Sequence, residues 1–444
     1  CKVAVHYSGI NLPDGAFDVA FHTQLDFTMF NREGYTFKVY DDRFFELTSC
    51  LVEDDITLNV IYRSISGYVP KGNSRIIVTA GQSNAAGVGH YEYLEQSLDE
   101  AKIKEINHGY DNVLLTGYSH GQYLDGFRTL KADKHSVTTN PGTFGYELSF
   151  AERMSKVFPD DTTYIVKFAF GGVSLNFEFI SPSCDVEQYI NGGVPGHQDP
   201  SERGWMYREM VQTCKDTIKT IEEQTNTVPM IEAFLWMQGE TDSTTEDLAN
   251  VYLSSFNTMI NDFTTELKDN ISYKFAVYDA GINESNPQWV YSQKINSMKK
   301  SRVDDRNIYI DTNGAGLTTM FEPIINRDEA HYDAACYIEL GHLFADAYLS
   351  HINKDYTHNE IVVQGPDKVN LKISDGAIKL NPKALFNGEE VNAKFSFFAK
   401  DNKLFKVNEN NELVPLLPGT SYLRITAYYQ DEVDTIIVPV DITE

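Results

Sequence analysis

Residues 1 to about 72 alternate apolar and polar positions in short stretches such as YTFKVYDD and DITLNVIYRSISGYV, which predicts strands and turns. VPKGNS (69–74) reads as a linker. From about 75 to 355 the pattern changes. Apolar runs of strand length at 76–79, 163–170, 230–237, 273–280 and 307–312 alternate with segments whose apolar residues recur at helical spacing. The helical segments include YELSFAERMSKVF (146–158), EDLANVYLSSFNTMINDFTTEL (246–267) and YIELGHLFADAYLSHI (337–352). This alternation predicts a mainly parallel sheet covered on both faces. From about 358, short strands at regular spacing return between Asn, Gly and Pro turns, predicting a small β-sandwich. The expected organisation is a β-rich region over 1–72, an α/β unit over 73–355 and a sandwich over 358–444.

Composition narrows the function classes. A formal net charge of −27 disfavours nucleic acid and anionic membrane as partners. No apolar run reaches the roughly 18 residues of a membrane span. The five cysteines are scattered and form no C-x-x-C pair, against a zinc site and against a disulfide framework. Cys1 is read either as the lipid-modified cysteine of a bacterial lipoprotein or, preferably, as simply the first residue of the chain. Asn270 and Asn283 stand in N-x-S triplets, which are common by chance.

In parallel α/β folds, ligands bind beyond the carboxyl ends of the strands. Four such loops carry reactive residue types: GQSN (81–84), FGGVS (170–174), WMQGETD (236–242) and NRDEAHYD (326–333). Together they supply an ester-hydrolysis site. Ser83 needs a general base, and His331 can serve. Asp328, three residues earlier, can reach the other ring nitrogen to fix tautomer and orientation. The Ser83 N–H, Gly172 and the Gln238 side-chain amide can hold the oxyanion. Asn84, Gly171 and Glu240 are supporting candidates, Glu240 as a hydrogen-bond partner of the nucleophile loop. Asp242 is expected to cap the following helix, and Lys167 to meet a carboxylate. No cofactor and no metal are expected.

These four motifs, in this order and rough spacing, resemble the SGNH hydrolases, in the branch containing sialate O-acetylesterases and acetylxylan esterases. The resemblance spans roughly residues 75 to 350. It implies a flavodoxin-like three-layer α/β/α domain, Ser83 as nucleophile, His331 as base, Asp328 as its orienter, Gly172 and Gln238 as oxyanion donors, and an acetylated carbohydrate as substrate. Tyr146 stands where this branch usually has Pro. Residues 402–429 resemble bacterial Ig-like domains of surface and phage proteins. These resemblances and the β-rich flanks imply an extracellular, cell-surface or virion location and attachment to a larger assembly. A phage tail deacetylase of capsule or O-antigen is one such context.

GYSHG (117–121) offers a rival nucleophile, Ser119, in the G-x-S-x-G pattern. A nucleophile elbow must open directly into a helix, and residues 122–142 carry no sustained helical stripe. Ser119 and His120 are therefore expected on a surface loop. His342 is expected as half-buried packing, and His90 as a candidate substrate contact. The alternative function is a non-catalytic glycan-binding or adhesion module on the same fold.

Overall fold

The computed structural model describes residues 1–8, 12–32, 35–42, 46–64, 72–131, 142–184, 199–319, 321–322 and 329–444. Residues 69–71, half of the expected linker, and Asp328 lie outside these residues.

The central sheet is built from β1 (Ser74–Gly81), β2 (Tyr110–Ser119), β3 (Gln122–Leu130), β4 (Thr162–Ala169), β5 (Met230–Met237), β6 (Ile271–Ala280) and β7 (Asn307–Ile310). Their order is β3-β2-β4-β1-β5-β6-β7. All neighbouring pairs are parallel except β2 and β3, which form an antiparallel hairpin at one edge. The apolar pattern does not announce that edge strand: QYLDGFRTL mixes Gly and charge with apolar residues, as an edge exposed on one side permits.

Alternating residues of these strands feed opposite helix layers, because successive side chains leave a sheet on opposite faces. On one face Phe234 and Trp236 pack on Phe263 and Phe256 of α6 (Glu246–Glu266), and Tyr118 meets Trp205 of α5 (Trp205–Thr225). On the other face Thr79 hydrogen-bonds Tyr146 at the start of α4 (Glu147–Val157), and Tyr278 contacts Tyr348 of α8 (Ala334–Ile352). The fold class is therefore α/β with a parallel-containing sheet between helical layers. Tyr146, fully buried against Phe344, occupies its position as a packing residue.

β1 is the topological centre. It lies between β4 and β5, where the chain switches direction of sheet growth. Gly81 is paired with Ala169 of β4 on one side and Met237 of β5 on the other. Three strands thus end at one level, and the loops beyond them emerge side by side. Gly81 has φ +147°, and a Cβ there would lie 1.9 Å from the Met237 carbonyl oxygen, so only glycine allows this approach.

The flanking regions are β-rich. Near the start, strands Lys2–Ser8 and Ile56–Ser64 pair in parallel within a five-stranded sheet over a cluster that includes Val3, Val39, Leu58 and Val60. Beyond α8, a four-stranded sheet joins Val369–Lys372, Glu432–Thr443, Gly419–Tyr429 and Lys394–Ala399. Phe398, Tyr428 and Val433 of this sheet belong to the same apolar core as the central sheet. All five cysteines are free thiols. Among the described residues no helix is long and apolar enough to cross a membrane.

Candidate active site

Ser83 opens a single short helical turn, α1 (Ser83–Ala86), directly beyond β1, and is half-buried. As the first helical residue its N–H has no partner within its own helix. The neighbouring loop after β4 approaches closely: a Cβ on Gly171 would stand 3.8 Å from Ser83 Cβ. Gly172 adopts φ +77°, the left-handed region that glycine enters without cost, and its carbonyl accepts from Thr241 Oγ1 at 3.0 Å.

The loop after β5 locks this arrangement. Asp242 is fully buried and accepts from the Ser174 hydroxyl (2.7 Å), the Leu175 N–H (2.9 Å) and the Asn176 amide (2.8 Å). It is therefore a clamp on the FGGVS loop. The helix-capping role expected of it is filled by Thr245, whose hydroxyl accepts from the Leu248 N–H. Gln238 is also fully buried. Its amide nitrogen donates to Asp242 Oδ2 (2.5 Å) and lies 3.2 Å from the Val173 carbonyl and 3.4 Å from Gln82 Oε1. Gln82 Oε1 in turn accepts from the Thr241 N–H at 3.1 Å.

Asn84 joins the Ser83 turn to the His331 segment. Its Nδ2 donates to Glu240 Oε1 (2.9 Å) and to the Ala330 carbonyl (3.1 Å). Its Oδ1 accepts from the Tyr332 N–H (3.3 Å) and the Tyr337 hydroxyl (2.9 Å). One side chain thus grips the residue before and the residue after His331. The segment is further held by the Asp333 N–H, which donates to the Thr318 carbonyl at 2.9 Å. His331 itself is half-buried. Burial pushes the Glu240 carboxyl above its usual range, opposed by the Asn84 hydrogen bond and, more weakly, by Lys299 and His331. Glu240 so bonds the Ser83 turn through Asn84, as its place in QGE suggests.

Beneath α1 lies a buried ion pair. The Lys167 ammonium contacts Glu147 and donates to the Ala86 carbonyl at 2.7 Å. Burial pushes the carboxyl up and the ammonium down, and their mutual attraction opposes both shifts.

Ser119 sits at the end of β2, fully buried, with its hydroxyl donating to the Ala86 carbonyl at 3.4 Å. The chain then turns back through His120 and Gly121 into antiparallel β3. There is no strand-to-helix elbow, and Ser119 is a buried strand residue instead of the expected surface-loop residue. His120 is half-buried at φ +48°, and its ring meets the Gly87 carbonyl at 3.3 Å. His342 is buried deeper than expected, 3.8 Å from Glu152 and 3.9 Å from Glu432. His90 precedes α2 (Tyr91–Ser97), half-buried with its ring edge-on to Tyr93.

Residues 73–350, more than half of the chain, match the family of carbohydrate esterases described as sialic acid-specific acetylesterases. The chain belongs to that family. It is a carbohydrate esterase, hence a carboxylic ester hydrolase. A comparison with curated protein sequences gives no match. Among solved structures, an Arabidopsis thaliana protein aligns at 17% identity over 63% of this chain and 98% of its own, with a TM-score of 0.43. NanS aligns at 16% identity over 65% of this chain and all of its own, with a TM-score of 0.46. A carbohydrate acetylesterase from Xanthomonas citri aligns at 13% identity over 92% of each chain, with a TM-score of 0.36.

The esterase also holds a site residue that local sequence patterns do not mark: Tyr337 meets Asn84 only because α8 delivers it there. The turn after β2 brings His120 to the Gly87 carbonyl. Burial pushes His120 down to about 4, and the charges of Lys167 and His331 act in the same direction. The unfolded chain takes up this proton below about pH 6.5, while the folded protein takes it up only near pH 4. Stability is therefore lost as pH falls from about 6.5 towards 4, by up to roughly 3 kcal/mol. His120→Asn, which tolerates positive φ, is expected to flatten the melting temperature between pH 7 and 5. An unchanged acid slope would refute this.

Proposed function

We propose that the enzyme removes O-acetyl groups from carbohydrate through a Ser83–His331 mechanism in which Asp328 orients the histidine. Ser83 Oγ attacks the acetyl carbonyl while His331 takes its proton. The tetrahedral oxyanion is met by the N–H groups of Ser83 and Gly172. The C–O bond to the sugar breaks, and His331 returns the proton to the leaving hydroxyl. Water, deprotonated by His331, then attacks the acetyl-enzyme; the ester bond to Ser83 Oγ breaks, His331 returns the proton to Oγ, and acetate leaves. Gln238, whose amide nitrogen faces Asp242, is read as bracing the oxyanion loop.

The observation that carries this reading is the grip of Asn84 on Ala330 and Tyr332. It ties the serine turn to both neighbours of the histidine, and nothing in packing alone requires that connection. Acetyl as the acyl group is supported by the family to which the chain belongs. A place outside the cell or on a virion, within a larger assembly, is supported by the β-rich flanks and by the resemblance of residues 402–429 to Ig-like domains.

The test is acetate release from acetylated sialic acid, acetylated xylan and p-nitrophenyl acetate, wild type against His331→Ala. Release from at least one sugar, lost on His331→Ala, is the expected result. Release from p-nitrophenyl acetate alone removes the carbohydrate assignment. No release from any of them, without acetylation of Ser83, favours the binding module.

A further inference from the structure

A buried ion cluster connects the C-terminal sheet to the segment that carries His331. Arg424 lies within strand Gly419–Tyr429, opposite Phe398, and is fully buried. Its guanidinium lies over the Phe398 ring, 4.7 Å from the centroid. Its edge faces the esterase core: Nη1 is 2.8 Å from Asp333 Oδ2, and Nη2 is 3.9 Å from Glu322 Oε1. Both carboxylates are buried with the arginine. A charge in such a place is tolerated only when it is paired.

Asp333 stands two residues after His331 and immediately before α8. It makes no side-chain cap to its own helix. Its carboxylate turns back instead and accepts from the Thr318 hydroxyl (2.6 Å) and the N–H groups of Phe321 and Glu322 (3.2 Å each). Glu322 takes over the cap, accepting the Ala334 N–H at 2.5 Å. The two acids therefore exchange backbone partners across the base of the histidine segment. They also oppose each other electrostatically: burial and Asp333 push the Glu322 carboxyl up, while Arg424 draws it down.

Further ion pairs join the same sheet to the esterase core. Arg153 of α4 donates to both oxygens of Glu432, at 2.7 and 2.5 Å. Lys102 and Lys156 reach Asp431 at 2.9 and 2.6 Å. The segment that carries His331 is thus bonded to Asn84 at Ala330 and Tyr332, and to Arg424 of the C-terminal sheet at Asp333.

We propose that Arg424 is a positioning residue of the esterase: through Asp333 and Glu322, the C-terminal sheet fixes the backbone on which the catalytic histidine stands. The proposal rests on the reading of His331 as the base.

The test measures the rate of Ser83 labelling by a fluorophosphonate, which needs the base but no sugar, alongside kcat and KM for p-nitrophenyl acetate. Arg424→Met keeps the length and the contact with Phe398 but removes the charge. It is expected to lower labelling and kcat by about 100-fold, the order of loss for a catalytic group misplaced by an ångström, with KM little changed. Arg424→Met/Asp333→Asn removes one charge of each sign and keeps an acceptor for the Phe321 and Glu322 N–H groups. It is expected to restore most of the rate. Arg424→Lys is expected to fall between wild type and Arg424→Met. Melting curves confirm that rates are read on folded protein. Should Arg424→Met fail to fold, the double variant decides, with near wild-type rates expected. A folded Arg424→Met with wild-type labelling and kcat overturns the proposal. So does a folded double variant that stays as slow as the single one. If His331→Ala labels as fast as wild type, the reading of the base fails instead, and that outcome is separate.

Discussion

Ser83→Ala is expected to abolish turnover, with kcat falling roughly 10⁴- to 10⁶-fold, the range seen when the nucleophile of a serine hydrolase is removed. The fold should be indifferent to the change. Ser83 is half-buried and begins a four-residue helical turn that no side chain caps. The two proposed oxyanion donors are backbone groups and survive. The same change at Ser119 is expected to leave kcat within a few-fold of wild type. Its hydroxyl is fully buried and committed to the Ala86 carbonyl, a hydrogen bond worth about 1 kcal/mol. Acetate release and fluorophosphonate stoichiometry on both variants check this. A dead Ser119→Ala beside an active Ser83→Ala would move the chemistry to the wrong strand and sink the mechanism.

The reason for choosing Ser83 is largely legible in the sequence. Strand, small turn and serine at GQSN predict a nucleophile at a strand end, and the centre of the sheet is where parallel α/β folds place ligands. The alignment that makes it a site is not legible. Gly81, Ala169 and Met237 share one level because β1 lies between β4 and β5, and that order depends on crossovers, not on local pattern. The β2–β3 hairpin is hidden for a similar reason. An edge strand is polar on one side, so its apolar content falls below what marks a buried strand. The hairpin turn leaves Ser119 without the strand-to-helix elbow that its motif would need, and it places His120 within reach of the Lys167 charge.

Asp242 illustrates a different limit. A carboxylate just before a helix reads as a cap, because capping is the commonest local use of that residue. Here Thr245, closer to the helix, takes the cap, and Asp242 binds the loop after β4 instead. Competition between two adequate caps is settled by tertiary contacts, which sequence spacing does not contain. Arg424 is the extreme case. In the sequence it is one arginine in a strand of alternating character, SYLRITAYY, where a charge reads as an exposed position. Only the docking of that strand against the esterase core makes it a buried counter-ion.

Asn84→Ala is expected to cost both rate and stability, and the balance between the two is informative. Truncation removes one hydrogen bond from each of four groups: Glu240 Oε1, the Ala330 carbonyl, the Tyr332 N–H and the Tyr337 hydroxyl. Losing a buried hydrogen bond costs about 1–3 kcal/mol, less where water or another contact replaces it, so a net loss on the order of 3 kcal/mol is expected. The catalytic loss should be larger than stability explains. Ala330 and Tyr332 bracket His331, so releasing them lets the ring drift, and an ångström of drift costs of order 100-fold in kcat. Asn84→Asp separates the contributions. It keeps the size and both acceptor contacts, but it cannot donate to Ala330 and sets a second carboxyl against Glu240, whose own carboxyl burial has already pushed up. It is therefore expected to lose more activity than Asn84→Ala at neutral pH. Thermal melts and kcat measured on the same preparations decide the matter. If Asn84→Ala melts early but turns over at the wild-type rate, Asn84 is a packing residue, and the histidine is held in place by other contacts.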